Sequence, residues 1–135
     1  MSLEYVLVID DSEIDAFITS RILEQCRFAN DIRCVASAQE GLDLLKEASD
    51  RNEELPSHLF LDIDMPGING FQFLEAFREL PQFIIAATRI IVLSSSIHPS
   101  DIRQANDNPL VECYLNKPLQ EEDVRRLTRL RSKSA

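Results

Sequence analysis

The chain has 135 residues, 44% of them apolar and 27% charged. That length fits one domain, and that composition is of a folded globule, not of a disordered or collagen-like chain. Its 14 basic residues against 23 acidic ones give a net charge of −9, which opposes direct contact with nucleic acid or an anionic membrane. No apolar run approaches the roughly 18 residues of a membrane-spanning helix. The opening Met1-Ser2-Leu3-Glu4-Tyr5 lacks the basic stretch of a secretory signal. Cys26, Cys34 and Cys113 are odd in number and widely spaced, which suits neither a disulfide framework nor a metal site. They are expected to be reduced core residues of a cytoplasmic protein.

Tyr5 to Ile9 is a continuous apolar run that predicts a buried strand ending at Asp10-Asp11. Ser12 can cap a helix whose apolar face is read as Ile14, Phe17, Ile18, Ile22 and Cys26. Residues 31 to 35 form a second, less apolar strand, expected near a sheet edge. Ser37 with Glu40 three residues later is a capping pair for a helix facing inward through Ala38, Leu42, Leu45 and Ala48. Leu59-Phe60-Leu61 is a third strand running into Asp62. Turn residues from Met65 to Gly70 follow, and then a helix marked by Phe71, Leu74 and Phe77. Phe83-Ile84-Ile85-Ala86-Ala87 is an unusually apolar connector, read as core packing or as a surface for a partner or a second copy. The fourth strand is Ile90 to Leu93, ending at Ser94-Ser95-Ser96. Pro99 opens a short helix through Ile102 and Ala105. Cys113-Tyr114-Leu115 is the fifth strand, and a last helix runs from about Gln120 to Arg131.

Strands alternating with helices predict an α/β fold with a parallel sheet. Strands buried on both faces read as unbroken apolar runs, as the first, third and fourth do. In such sheets ligands bind beyond the carboxyl ends of the strands. Asp10 and Asp11, Asp62 and Asp64, Ser94 and Ser95, and Lys117 all stand just past strand ends and are expected to converge on one edge. Crowded carboxylates need a positive neighbour, and a hard cation such as Mg²⁺ takes oxygen ligands of this kind. Lys117 adds an ammonium and Ser94 a hydroxyl donor. The combination suits a phosphoryl group held beside Mg²⁺.

Val8-Ile9-Asp10-Asp11, the stretch from Leu59 to Gly70, Val92-Leu93-Ser94-Ser95 and Tyr114-Leu115-Asn116-Lys117-Pro118 together resemble the response-regulator receiver domain of two-component signalling. The resemblance covers essentially the whole chain. It implies a flavodoxin-like (βα)5 three-layer sandwich with strand order 2-1-3-4-5. It further implies a single stand-alone receiver, like a chemotaxis regulator, over residues 1–135 with no effector domain. By the same resemblance Asp62 is the phospho-acceptor. Mg²⁺ is held by Asp11, Asp62 and the backbone carbonyl of Asp64, with Asp10 acting through water. Lys117 pairs with the phosphoryl group, Ser94 turns its hydroxyl to it, and Tyr114 is the aromatic that follows that hydroxyl inward. The implied donor is a histidine kinase or histidine phosphotransfer protein. The implied output is altered binding to a downstream protein, with no catalysis beyond the domain's own phosphorylation and dephosphorylation.

Other readings stand beside these. Ser95 or Ser96 could supply the hydroxyl instead of Ser94, and Tyr114 could be a plain core aromatic. His58 and His98 have no ligand-spaced companion and are read as incidental. Glu121, Glu122 and Asp123 at the start of the last helix and Arg125, Arg126, Arg129, Arg131 and Lys133 later in it suit the helix dipole, with a basic docking face as the sharper alternative. Asp64 is a carboxylate where the family commonly has an amide, which bears on acyl-phosphate lifetime. Two rival functions are a haloacid-dehalogenase-like Mg²⁺ phosphatase, from Asp62-Ile63-Asp64, and a phosphorylation-independent adaptor of the same fold.

Overall fold

A computed structural model describes residues 3–134, with side chains described over 5–129. Residues 1, 2 and 135, and the side chains of Arg131 and Lys133, lie outside what is described. The elements in order are β1 (Leu3–Ile9), α1 (Glu13–Gln25), β2 (Ala29–Val35), α2 (Ala38–Asp50), β3 (His58–Leu61) and α3 (Gly70–Arg78). There follow α4 (Gln82–Ala87), β4 (Arg89–Ser94), α5 (Pro99–Asp107), β5 (Val111–Asn116) and α6 (Glu121–Ser134). The five strands are parallel, in the order β2-β1-β3-β4-β5. This is the expected flavodoxin-like sheet, with the less apolar β2 at one edge.

Side chains alternate across a strand, so each strand feeds two cores. Tyr5, Leu7 and Ile9 point to the face covered by α2, α3 and α4, where they meet Leu42, Leu45, Phe73, Phe77 and Ile84. Val6 and Val8 point to the opposite face and meet Leu23 of α1 and Val124 and Leu127 of α6, together with Phe60, Ile91 and Leu115. Val92 and Ile63 pack on Ala105 of α5. Three layers result.

Ser12 caps α1 by accepting from the Asp15 amide, and Ser37 caps α2 by accepting from that of Glu40. Glu40 returns a carboxylate oxygen to the Ala36 amide at 2.8 Å. Asn69 and Gln72 form a reciprocal capping box at the start of α3. The last helix pairs its early acids with its own arginines, with Arg125 2.6 Å from Glu121 and Arg126 3.5 Å from Asp123.

Three expectations are corrected. First, α1 does not bury Ile14, Phe17 and Ile18, which are 72%, 65% and 39% exposed. It turns Ala16, Thr19 and Leu23 to the sheet instead. Apolar residues lie on both sides of this helix, so spacing alone could not choose the face. Small residues at Ala16 and Thr19 let the helix sit close to the strands. Second, only Cys26 and Cys113 of the three cysteines pack against the core. All are free thiols, Cys34 is exposed on the edge strand with its Sγ 3.1 Å from Ser20 Oγ, and Cys26 and Cys113 are half-buried. Third, the 83–87 connector is an additional helix, α4. Its Ile84 is buried while its Phe83 stays 58% exposed, so core packing accounts for the first and not the second. His58 is buried edge-to-face against Phe28, and exposed His98 begins α5.

Candidate functional site

All four loops singled out by the sequence open at the carboxyl edge of the sheet. Asp10 follows β1 and is held at the β2 side by its amide, which donates to the Val35 carbonyl at 3.1 Å. Asp62 follows β3, and its amide donates to the Ile9 carbonyl at 3.0 Å, which ties it to the end of β1. Ser94 ends β4 and is fully buried, and its carbonyl accepts from the Lys117 amide at 2.9 Å. These backbone bonds fix the loops of β1, β3, β4 and β5 relative to one another before any side chain acts.

Carboxylate oxygens of Asp10, Asp11 and Asp62 all lie within 4.8 Å of one another. Asp10 and Asp62 are buried, and Asp11 is exposed at the rim. The Lys117 ammonium sits among carboxylates, 2.7 Å from Asp10, 3.0 Å from Asp15 and 3.4 Å from Asp62. Both Asp10 oxygens are engaged, since Oδ1 also accepts from the Ser12 amide at 2.9 Å. Asp62 Oδ1 accepts from the Asp64 amide at 3.1 Å. The Lys117–Pro118 peptide is cis.

Burial and the nearby Asp10 charge push the Asp62 pKa up to about 6, against the pull of the Asp64 amide and Lys117. Burial acts the other way on Lys117, lowering its proton affinity. Its bonds to Asp10 and Asp15 and the charge of Asp62 outweigh that, and its net shift is upward. The ammonium is therefore charged at any ordinary pH, and the carboxylate is ionised only above mildly acidic pH.

Gly70 makes room for the loop after β3. A Cβ there would stand 2.6 Å from Ile63 Cα and 2.8 Å from the Asp62 carbonyl oxygen, closer than atoms can approach. Gly67 turns the loop with a φ of +75°, a value glycine adopts freely.

The hydroxyl of Ser94 accepts from the Ser96 amide at 3.1 Å and lies 3.5 Å from Asp64 Oδ2, too far for a good hydrogen bond. Its proton is thus left without a strong acceptor. Ser95 is exposed and lines a cavity bordered by Asp15 and Lys117, whereas Ser96 donates to Asp101 at 2.7 Å. Of the three serines, Ser94 alone is both buried and turned to the acids. Tyr114 is half-buried against Ile63, Val92 and Ala105, and its hydroxyl donates to the Ser96 carbonyl at 2.6 Å. Its ring packs on the core while its hydroxyl ties β5 to the loop after β4.

Sequence reasoning does not single out Asp15. It lies in the first turn of α1, where an acid reads as an ordinary helix-dipole partner. Its contact with Lys117 joins residues 102 positions apart, which spacing along the chain does not reveal.

Known proteins agree with this geometry. The family model for the response regulator receiver domain matches residues 6–129. A crystal structure of a two-component response regulator from Cytophaga hutchinsonii superposes with a TM-score of 0.90 at 28% identity, over 98% of this chain and 99% of that one. The probable methanogenesis regulatory protein FilR2 of Methanothrix harundinacea is 28% identical over 90% of this chain and 76% of its own length. The two-component response regulator ORR1 of Oryza sativa is 29% identical over 90% of this chain, which spans only 52% of that protein. Sequence match and fold coincide, and the chain belongs to the response regulator receiver domain family of two-component signalling.

Proposed function

We propose that Asp62 accepts a phosphoryl group from a phosphohistidine on a histidine kinase or phosphotransfer protein, and that the resulting acyl phosphate changes binding to a downstream protein. Receiver domains work with histidine kinases and downstream targets, generally bind Mg²⁺ in an acidic pocket, and are not enzymes in the ordinary sense. The observation that carries the proposal is the Asp62 carboxylate, 5% exposed at the end of β3, with Lys117 at 3.4 Å and Asp10 and Asp11 around it. A buried carboxylate beside other carboxylates is poorly suited to a structural role and well suited to a phosphoryl site that carries its own cation.

The Asp10, Asp11 and Asp62 oxygens fit a hard divalent ion in distance and in donor type. Asp11 and Asp62, with the Asp64 backbone carbonyl, would hold Mg²⁺ directly. Asp10 would act through water, a role supported by the engagement of both its oxygens elsewhere. Bound Mg²⁺ would neutralise charge on the phosphoryl oxygens. In the transfer an Asp62 oxygen forms the new O–P bond as the N–P bond of the phosphohistidine breaks, and the imidazole nitrogen takes a proton from solvent. Lys117 is placed to neutralise the incoming phosphoryl oxygens, and the Ser94 hydroxyl, held only by a long contact to Asp64, is placed to donate to one. Positioning and charge neutralisation are most of what phosphoryl transfer requires.

Movement of Ser94 toward the phosphoryl group would release the Ser96 amide, and Tyr114 is bonded to the Ser96 carbonyl. The β4–α5 loop and the β5 edge therefore form the surface expected to report phosphorylation. A dehalogenase-like phosphatase is not favoured, because the family match runs through residues 6–129 and puts Asp62 after the third strand. The test is acetyl phosphate with Mg²⁺ and intact mass. Acetate leaves as the Asp62 O–P bond forms, adding one phosphoryl mass to the native protein and none to Asp62→Asn. Equal phosphorylation of both would refute the assignment, and absence of phosphorylation in the native protein would favour an adaptor.

A further inference from the structure

Lys117 has three N–H donors, and Asp10, Asp15 and Asp62 take up positions at 2.7, 3.0 and 3.4 Å from its nitrogen. The longest of these contacts is the one to Asp62. A phosphoryl group arriving on Asp62 inherits this longest contact, and shortening it to a full bond draws the ammonium away from its other two carboxylates. Asp10 is badly placed to lose it, because its side chain is 3% exposed and cannot regain water. Asp15 is well placed. Its side chain is 41% exposed, and it borders a cavity of ≈ 320 Å³ shared with Ile18, Thr19, Ser95 and Pro118.

Asp15 is also held firmly enough to act. Its amide donates to Ser12 Oγ at 3.2 Å, and the Ser12 amide donates to Asp10 Oδ1 at 2.9 Å. The first turn of α1 is thereby locked to the end of β1, and the Asp15 carboxylate reaches the ammonium from α1 rather than from the β3 loop.

We propose that Asp15 is a positioning residue that holds Lys117 in the unphosphorylated protein and competes with the phosphoryl group for it, so that it sets how tightly the phosphorylated state is held. This rests on the receiver reading above and names a regulator of that same site. The competition has a signature that a helix-stabilising acid lacks. Removing the Asp15 charge frees the ammonium for an anion on Asp62, so anion binding tightens. The same removal takes a negative charge from the neighbourhood of the metal site, so Mg²⁺ alone binds more weakly.

The experiment uses the full chain with beryllofluoride, a phosphoryl mimic that coordinates the acceptor carboxylate, followed by fluorine NMR and calorimetry. At saturating Mg²⁺, Asp15→Asn and Asp15→Ala are expected to bind beryllofluoride about three- to fivefold tighter than the native protein, the range of a partly exposed ion pair. Asp15→Glu is expected to restore near-native affinity. Without beryllofluoride, Mg²⁺ is expected to bind both neutral variants about twofold more weakly. The gain in anion affinity must vanish when Lys117→Met is combined with Asp15→Asn, because the effect acts through the ammonium. Unchanged or weaker beryllofluoride binding in both neutral variants, or a gain that survives Lys117→Met, overturns the proposal. If the native protein itself takes up no beryllofluoride, the receiver reading fails and this one falls with it. If the native protein binds and the variants match it, only the role of Asp15 is lost.

Discussion

Replacing the Asp62 carboxylate with its amide is expected to stabilise this protein. Asp62 titrates near pH 6 in the fold, chiefly because burial strips water from its carboxylate, against 3.8 for an unperturbed aspartate. The native state therefore holds a proton on Asp62 more tightly than the unfolded chain does. Above about pH 6 the group is ionised in both states, and the fold carries the full penalty of a charged, buried carboxylate. As pH falls from about 6 to about 4, the native state protonates first and the penalty disappears. A shift of about 2 units, at about 1.4 kcal/mol each, makes that penalty about 3 kcal/mol. The attraction of Lys117 is already contained in the shift. The amide side chain of the variant has nearly the shape of protonated aspartate and never ionises. Asp62→Asn is therefore expected to be more stable than the native protein by about 3 kcal/mol near pH 8. That is a melting temperature higher by about 10 °C, given an unfolding entropy of about 2 cal/mol/K per residue. Near pH 4 the difference is expected to fall below about 1 kcal/mol, because the native fold is then largely neutral at this position. Thermal unfolding followed by circular dichroism in excess chelator measures both limits. A variant no more stable than the native protein near pH 8, or a difference that does not shrink on acidification, would refute the reasoning.

Mg²⁺ at the proposed site would bind the folded state and not the unfolded chain, so at about a hundred times its dissociation constant it is expected to stabilise the native protein by about 2.7 kcal/mol, and Asp11→Ala much less. Calorimetry with and without the ion reads the difference, and equal shifts would count against a carboxylate metal site. Gly70→Ala forces a Cβ onto Ile63 and the Asp62 carbonyl. It is expected to destabilise the fold by about 2 kcal/mol or more and to weaken beryllofluoride uptake, whereas a silent change would show that the acceptor loop shifts freely. Asp64→Asn is expected to lengthen the acyl-phosphate lifetime, because a carboxylate repels the phosphoryl charge and accepts from attacking water while an amide does neither as well. Phosphate release from purified, phosphorylated protein decides it, and an unchanged or shorter lifetime would exclude this role.

The sheet was legible because β1, β3 and β4 are unbroken apolar runs, and a strand that must face two cores has no other way to read. The principal site residues were legible for a related reason. In a parallel sheet every strand delivers its following residue to the same edge, so Asp10, Asp62, Ser94 and Lys117 needed no tertiary information to be brought together. Helix phase was harder. Residues on both sides of α1 are apolar, and only the fit of Ala16 and Thr19 against the strands decides that Ile14 and Phe17 stay in solvent. The α4 segment has contiguous apolar residues and no side-chain cap, so neither period nor punctuation marks it as a helix. Cys34 is apolar by composition, but its edge strand has few neighbours to bury it. Asp15 is the most instructive miss, since its local role as a first-turn acid conceals a distant one.

Two of these misses, the phase of α1 and the reach of Asp15, meet on one helix, and their meeting has functional meaning. Lys117 joins Asp10 after β1, Asp62 after β3, Asp15 on α1 and, through its amide, Ser94 at the end of β4. One ammonium thus sees every element that brings a proposed ligand to the site. On the proposed reading, charge added at Asp62 draws Lys117 toward it and away from its contacts to the other elements. The contact to Asp10 is buried, and the amide bond to Ser94 belongs to the backbone, so the partly exposed contact to Asp15 is the one with least to lose. That contact ends on α1, the helix that carries the exposed Ile14, Phe17 and Ile18. A bistable element need differ by only a few kcal/mol for such a redistribution to change its populations. The apolar surface that the core leaves out therefore shares a helix with the carboxylate most able to yield. On the proposed reading, Lys117 is the side chain through which charge at Asp62 is felt on the helix that carries this face.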